Sequence, residues 1–472
     1  RLSLEILHAV LELVILYVGG ERWLHSEPRY HSVVLVCRDW AEIASNIWWK
    51  TRRYLVPEAE APLATLARLP LKRQQWYANK IQHLNLNETN ARDFIVALEL
   101  DFPFLRTLEV TRWSDYEVGF VCLASQSIRR SLLELKLTRT YRTDDILTGL
   151  LNAPNLRTLE LWCESSDATS DKVLNVMETC FQLRALELTF SIGALITKDV
   201  LAAIASLPIT HLKLGEFHST AIDLLGGIVT LTSLSLGVIG TAPIFRILAT
   251  LRNLQNLKLC FRDAVAIEYS ERKCLARLKE LHSISIFSWD GFGFSQVDLS
   301  SITLDEFTSF FHALPRLSCF RINAAISNTA QLYIKAEEMC RSIESLGLRG
   351  QFDSELFLKS HTGNVLVYPM LESLWVHQFI EPQDKRTWDE RVHNAALELH
   401  KAARELWVLH GGTQRDEGYG DDGLGPFVTE RDDFTACVEA RHRSIREQER
   451  RKYLDEKYGK NRRSGMPIGT YV

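Results

Sequence analysis

The sequence predicts an α/β architecture: a right-handed solenoid of short parallel strands and intervening helices in an irregular horseshoe, preceded by a small all-α module. Three observations carry that reading. A kernel of the form L-x-x-L-x-L recurs as LRTLEV at 105–110, LRTLEL at 156–161, LRALEL at 183–188, ITHLKL at 209–214, LTSLSL at 231–236 and LQNLKL at 254–259. Its middle leucines, Leu84, Leu108, Leu135, Leu159, Leu186, Leu212, Leu234 and Leu257, stand 24, 27, 24, 27, 26, 22 and 23 residues apart, a period that marks a stacked repeat. Residues 1–55 lack this repeat and show helical periodicity instead.

The amino-terminal segment reads as three short helices. The apolar run from Leu2 to Val18 carries Glu5, His8 and Glu12, which suits an amphipathic helix and not a membrane span. Beyond a break at Gly19–Gly20, residues 30–40 read YHSVVLVCRDW, and IWWK follows at 47–50. The pattern brings Leu4, Leu7, Leu11, Val33, Val36, Trp40 and Ile43 near one another. A core this small leaves apolar surface exposed, and such a patch marks a partner interface. Cys37 is expected to be a small packed residue. The chain opens on Arg1, consistent with a natural start upstream.

Residues 56–80 form a linker or cap, and 81–410 the repeat array. Within each kernel the alternating apolar residues share one face of a strand. Between kernels, 143–151, 170–177 and 197–204 open on Thr143, Ser170 and Thr197, hydroxyl residues suited to the unpaired amides of a helix start, with acidic residues following. Pro243 suits another helix start. Pro103, Pro154, Pro208, Pro315 and Pro369 stop the chain ahead of kernels, because proline cannot continue a helix. One repeat cannot bury its own leucines, whereas stacked neighbours form a continuous core. Weaker kernels centre on Ile284, Phe320, Leu346, Leu374 and Leu406, and the wide step from Ile284 to Phe320 implies an insertion around residues 288–294.

The residue between the last two kernel leucines defines a column on the strand face: Asn85, Glu109, Lys136, Glu160, Glu187, Lys213, Ser235 and Lys258, then Ser285, Arg321, Gly347, Trp375 and Trp407. Its first part reads as a solvated mixed-charge face. Its later part, with Phe287 and His377 nearby, carries aromatic and arginine anchors of the kind that bind protein partners. Arg321, Trp375 and Trp407 are therefore candidate target-binding residues, against the alternative that the carboxy-terminal segment folds over them.

Residues 385–404 read as an amphipathic helix, and 411–472 as a Gly/Asp-rich loop followed by a charged tail. The acidic residues of that loop do not follow a calcium-loop spacing. The tail carries two basic clusters, at 450–452 and 460–463. The 472 residues are 46% hydrophobic and 24% charged, with a formal net charge of -4, too small to point to nucleic acid or an anionic membrane as partner. Nine cysteines, an odd number without a C-x-x-C pair, suggest reduced thiols in cytoplasm or nucleus. Asn87–Thr89 matches a glycosylation sequon without secretory context. No catalytic constellation, Walker loop or metal-ligand spacing stands out, so neither enzymatic activity nor a cofactor is expected.

The repeat resembles the leucine-rich-repeat family, without the regular Asn or Cys that many members carry after the last kernel leucine. Residues 1–55 resemble the F-box: Leu2, Glu5, Ile6 and Leu7 match its opening, and Val36, Cys37, Arg38 and Trp40 its second signature. Ser3 replaces the usual proline, and the spacer from Gly19 to Tyr30 is long. The combination resembles fungal-type F-box-like proteins with leucine-rich repeats. That resemblance implies a substrate-recognition adaptor of a cullin-based SCF-type ubiquitin ligase, which docks a Skp-type adaptor, and through it a cullin, by Leu2, Ile6, Leu7 and Val36, with Trp40 either docking or core. The repeats would hold an unknown target protein. The competing reading is a non-catalytic scaffold whose amino-terminal helices only cap the repeats.

Overall fold

The computed structural model describes residues 4–16, 36–51, 69–87, 100–111, 130–140, 143–151, 153–163, 170–190, 196–240, 244–263, 265–288, 297–299, 302–322, 332, 343–352, 373–379 and 408–411. The chain divides into two units, Arg1–Leu236 and Gly237–Val472.

The first unit opens with α1 (Leu4–Leu16) and α2 (Arg38–Thr51). Leu7 and Leu11, four apart on α1, pack on Ile43 and Ile47, four apart on α2, with half-buried Trp40 against them. That spacing puts each pair on one helix face, and each buried aliphatic side chain contributes about 1.5–3 kcal/mol. Two expectations are corrected. Val36 stands exposed outside this cluster, at the turn preceding α2, and Cys37 is exposed beside it, its carbonyl accepting from Ala41 N in the first turn of the helix.

Helix α3 (Leu71–Ala78) lies in the segment expected to be linker or cap. Pro70 stands at its N-cap, and the carbonyl of Pro70 accepts from Arg73 N and Gln74 N. Gln75 clamps α3 to the turn ahead of the second strand: its amide donates to Asp101 O at 2.7 Å and its Oε1 accepts from Asp101 N at 3.0 Å.

Strands β1 (His83–Asn87), β2 (Thr107–Thr111), β3 (Glu134–Thr140), β4 (Thr158–Cys163), β5 (Ala185–Phe190), β6 (His211–His218) and β7 (Ser233–Ile239) follow one another across the sheet in sequence order. Pairing from β1 to β6 is parallel, with Leu84, Leu108, Leu135, Leu159, Leu186 and Leu212 in one register row. All six are buried, as is Leu234 of β7. Helices α4 (Thr143–Leu150), α5 (Ser170–Thr179), α6 (Lys198–Ala205) and α7 (Ile222–Leu225) join the later strands. The cap expected at Thr197 is present, its side chain accepting from Val200 N at 3.3 Å. Alternating strands and helices, parallel pairing and a row of buried leucines are the α/β leucine-rich-repeat fold.

A backbone device keeps uneven repeats in step. The carbonyl of the residue after the first kernel leucine accepts two amide hydrogens from the next repeat. Arg106 O receives Leu133 N and Glu134 N, Leu133 O receives Arg157 N and Thr158 N, Arg157 O receives Arg184 N and Ala185 N, and Arg184 O receives Thr210 N and His211 N. Thr210 Oγ1 adds a bond to Arg184 O at 3.1 Å. These bonds satisfy strand-entry amides that would otherwise be buried without partners.

The second unit repeats the scheme. Its strands are β8 (Asn256–Phe261), β10 (Ser283–Ser288), β12 (Cys319–Ile322), β13 (Ser345–Phe352), β14 (Ser373–Phe379) and β15 (Val408–Gly411), adjacent in that order and parallel; β9 (Val265–Ala266) and β11 (Val297–Asp298) form a separate two-stranded pair. The carbonyl device recurs at Gln255, His282 and Ser318. Helices α8 (Phe245–Leu248), α9 (Tyr269–Leu275) and α10 (Leu304–Ala313) lie between strands. The expected insertion between Ile284 and Phe320 includes β11 and α10, while the two residues remain register partners. Thr303 and Glu306 form a reciprocal capping box at the start of α10, with bonds of 3.3 and 3.1 Å.

The register corrects one sequence assignment. Leu409, not Leu406, pairs with Leu374, and His410, not Trp407, stands beside Trp375. Leu406 fits the kernel's middle position by pattern alone, whereas the pairing strand begins only at Val408. Residue 407 and the segments 289–296, 385–404 and 412–472 lie outside the described residues.

Candidate functional site

Two surfaces carry the candidate residues, and the first is the helical pair. Helix α1 is apolar on more than one face, with Glu5, His8 and Glu12 its polar residues. A helix of that character buries several faces. Here Leu7 and Leu11 enter the core with α2, whereas Ile6 and Val10, also four apart, are 51% and 41% exposed. Val36 is 57% exposed. The expected docking set therefore divides. Ile6 and Val36 are exposed. Leu7 is corrected to a core position, since the spacing that pairs it with Leu11 also turns it toward Ile43 and Ile47. Trp40 is half-buried against that core, and Leu2 lies outside the described residues. Val10 was missed; its i, i+4 relation to Ile6 was the available signal.

Next to α3 lies an unusual amine. Lys80 Nζ is buried without a hydrogen-bond partner and sits 3.2 Å from the centroid of the Trp76 ring. Burial pushes its pKa down to about 8, against the opposing charge of Glu42 on α2. Cation–π attraction compensates part of the lost hydration.

The strand-face column is the second surface. In the first unit, register places Glu109, Lys136, Glu160, Glu187 and Lys213 side by side. Lys136 Nζ lies 3.6 Å from Glu160 Oε2, and Lys213 bonds Glu187. Burial, then the neighbouring Glu187 charge, raises the Glu160 pKa, while Lys136 and Lys213 oppose the shift. The face is thus half-buried and largely neutralised by its own ion pairs.

The second unit has its own column, in which Lys258, Ser285, Arg321, Gly347, Trp375 and His410 stand side by side by register. Arg321 is half-buried, and its Nε donates to Ser345 Oγ at 3.0 Å, which fixes the guanidinium against the sheet. Lys258 Nζ lies 5.7 Å from the Phe287 ring centroid. Trp375 occupies its predicted register position on β14, and its side chain lies outside the described atoms. Cys180 is buried, and burial pushes its thiol pKa up to about 12, which fits packing rather than nucleophilic chemistry.

No protein-family model matches the chain, and no curated protein matches it. Among solved structures, the chain is similar to an internalin of Listeria monocytogenes at 14% identity, over 72% of this chain and 84% of that one, with a TM-score of 0.36. A leucine-rich-repeat protein of Leptospira interrogans matches at 14% identity, over 73% and 87%, with a TM-score of 0.39. The complex of Rad7 and Elc1 in yeast contributes a chain matching at 13% identity, over 90% and 92%, with a TM-score of 0.41. At such identities and scores these likenesses carry no argument about function. What the chain's own register and buried leucine row define is the fold, an α/β leucine-rich-repeat solenoid.

Proposed function

We propose that this chain is a substrate-recognition adaptor of a cullin-based ubiquitin ligase. It docks a Skp-type adaptor through the helices of residues 1–55 and holds a target protein on its strand face. The observation that carries the reading is the two-sided character of α1: Leu7 and Leu11 close the core, while Ile6, Val10 and Val36 present aliphatic surface. The F-box-like residues Glu5, Arg38 and Trp40 stand on the same two helices. Arg321 and Trp375 are the proposed target contacts among residues whose register is described.

Copurification of the full chain with a Skp-type adaptor tests this. Ile6→Asp combined with Val36→Asp should weaken capture at least tenfold while circular dichroism stays unchanged. Undiminished capture, or none by the unaltered chain, refutes the reading. A second reading, in which these helices only cap the repeats, draws support from the electrostatic coupling of Glu42 on α2 to Lys80 beside α3. It predicts no adaptor binding, and loss of repeat structure when residues 1–55 are deleted.

A further inference from the structure

The second unit contains a cavity of about 210 Å³ between its strand layer and its helices. Ile284 and Ile286 of β10 and Phe320 and Ile322 of β12 form its floor. Leu275 of α9, Ala276 just beyond it, and Phe307 and Phe310 of α10 form the opposite wall. Ile267 and Leu299, which follow the paired strands β9 and β11, close one side. The cavity lies at the insertion between Ile284 and Phe320. There the strands keep their register, while the longer connection supplies α10 and β11, which pairs with β9 of the preceding connection.

Three of the fifteen lining residues are polar, namely Lys273, Glu306 and Ser309. Two of these are already engaged. Glu306 Oε2 accepts from Thr303 N in the capping box, and Ser309 Oγ donates to Asp305 O. Lys273 is exposed on α9. The interior thus offers aliphatic surface and aromatic rings, with little to hydrate a water or hold a charged ligand. Phe320 meets Phe307 edge-on at 6.3 Å between centroids and stands 6.1 Å from Phe310, so ring edges and faces are already set for a further ring.

We infer that this cavity is a binding site for a small uncharged arene. An apolar cavity of about 150 Å³ holds benzene. The larger volume here suits one substituted ring or two fused rings. Lining atoms that lack a neighbour forfeit dispersion contacts, and such a ligand restores them.

The test uses the full chain, with ¹⁹F NMR of fluorobenzene and 1-fluoronaphthalene as probes. Both resonances should broaden with added protein and recover when unlabelled naphthalene is present. Ala276→Leu, which extends a side chain into the void, should weaken probe binding at least tenfold without lowering the melting temperature. Ile302→Phe fills the cavity from another side and serves if the first variant does not fold. Absence of titration by either probe overturns the inference, and so does affinity unchanged in the folded variants.

Discussion

Replacing Gly215 with alanine tests how closely the strands of the first unit approach one another. Gly215 follows Leu214 on β6, facing β5 where Leu188 and Leu214 are register partners. A Cβ at this position would lie 2.9 Å from Thr189 Cγ2, 3.0 Å from Thr189 Cα and 3.3 Å from Thr189 Cβ. The first of these clashes can be relieved by a rotamer change, whereas the second is with backbone, which must give by a few tenths of an ångström. Overpacking of this kind costs about 1–3 kcal/mol. Removing a glycine from a strand returns about 0.5–1 kcal/mol through the unfolded chain. The two contributions leave a net loss of about 0–2.5 kcal/mol, centred near 1 kcal/mol. Repeat arrays do not always unfold in one step, so the readout should be local: hydrogen exchange of the β5 and β6 amides alongside urea denaturation. Adding Thr189→Ala should recover only part of the loss, since the clash with the backbone of residue 189 persists. Gly215→Ala protein with unchanged or greater protection in β5 and β6 refutes the argument.

Two further outcomes follow from single groups. Lys80 has a folded-state pKa of about 8 against an ordinary 10.5, so between those values the unfolded chain retains a proton the folded chain has lost. Stability contributed by this site therefore rises with pH across that window, and the charged amine is a liability below it. Lys80→Met should raise the melting temperature at pH 7 and lose the advantage by pH 10.5; an equal difference at both pH values contradicts the assigned burial. Thr303→Ala removes the hydroxyl that accepts from Glu306 N and keeps the bond from the residue-303 amide to Glu306 Oε2, so α10 should lose about 1 kcal/mol, read as faster exchange of its first-turn amides. Exchange unchanged in that turn contradicts the box.

The repeats were legible because burial constrains them. Leucines at Leu84, Leu108, Leu135, Leu159, Leu186, Leu212 and Leu234 must all reach one core, and each does. Weaker kernels around Ile284, Phe320, Leu346 and Leu374 were also placed correctly, since isoleucine and phenylalanine meet the same demand. The assignment failed at Leu406, where LWVL offers two leucines three apart and pattern alone does not say which begins the pairing strand. At the amino terminus, helical spacing identified Leu7, Leu11 and Ile43 as neighbours. It could not separate buried from exposed residues, because α1 is apolar on both sides and only the position of α2 decides which side is covered. Val36 was misplaced for a related reason: it lies ahead of α2, where helical spacing does not apply.

What replaces the missing side-chain ladder has no sequence signature, because it is made of carbonyls. Asn or Cys at a fixed position would have advertised it, whereas Arg106, Leu133, Thr210, Gln255, His282 and Ser318 differ in side chain and share their place after a buried kernel residue. Any residue can supply a carbonyl, so each repeat keeps its strand entry in step without constraining the side chain there. Two consequences follow for recognition. Loop lengths between strands can vary, as they do between Ile284 and Phe320, while the column of strand-face side chains stays in register. That column can then diverge in chemistry along the chain. Its Glu187–Lys213 and Lys136–Glu160 pairs satisfy one another in the first unit, and a partner binding there would have to compensate charges already paired. Arg321 donates from Nε to the neutral hydroxyl of Ser345, so on the proposed reading its guanidinium occupies a fixed place in the strand-face column of the second unit.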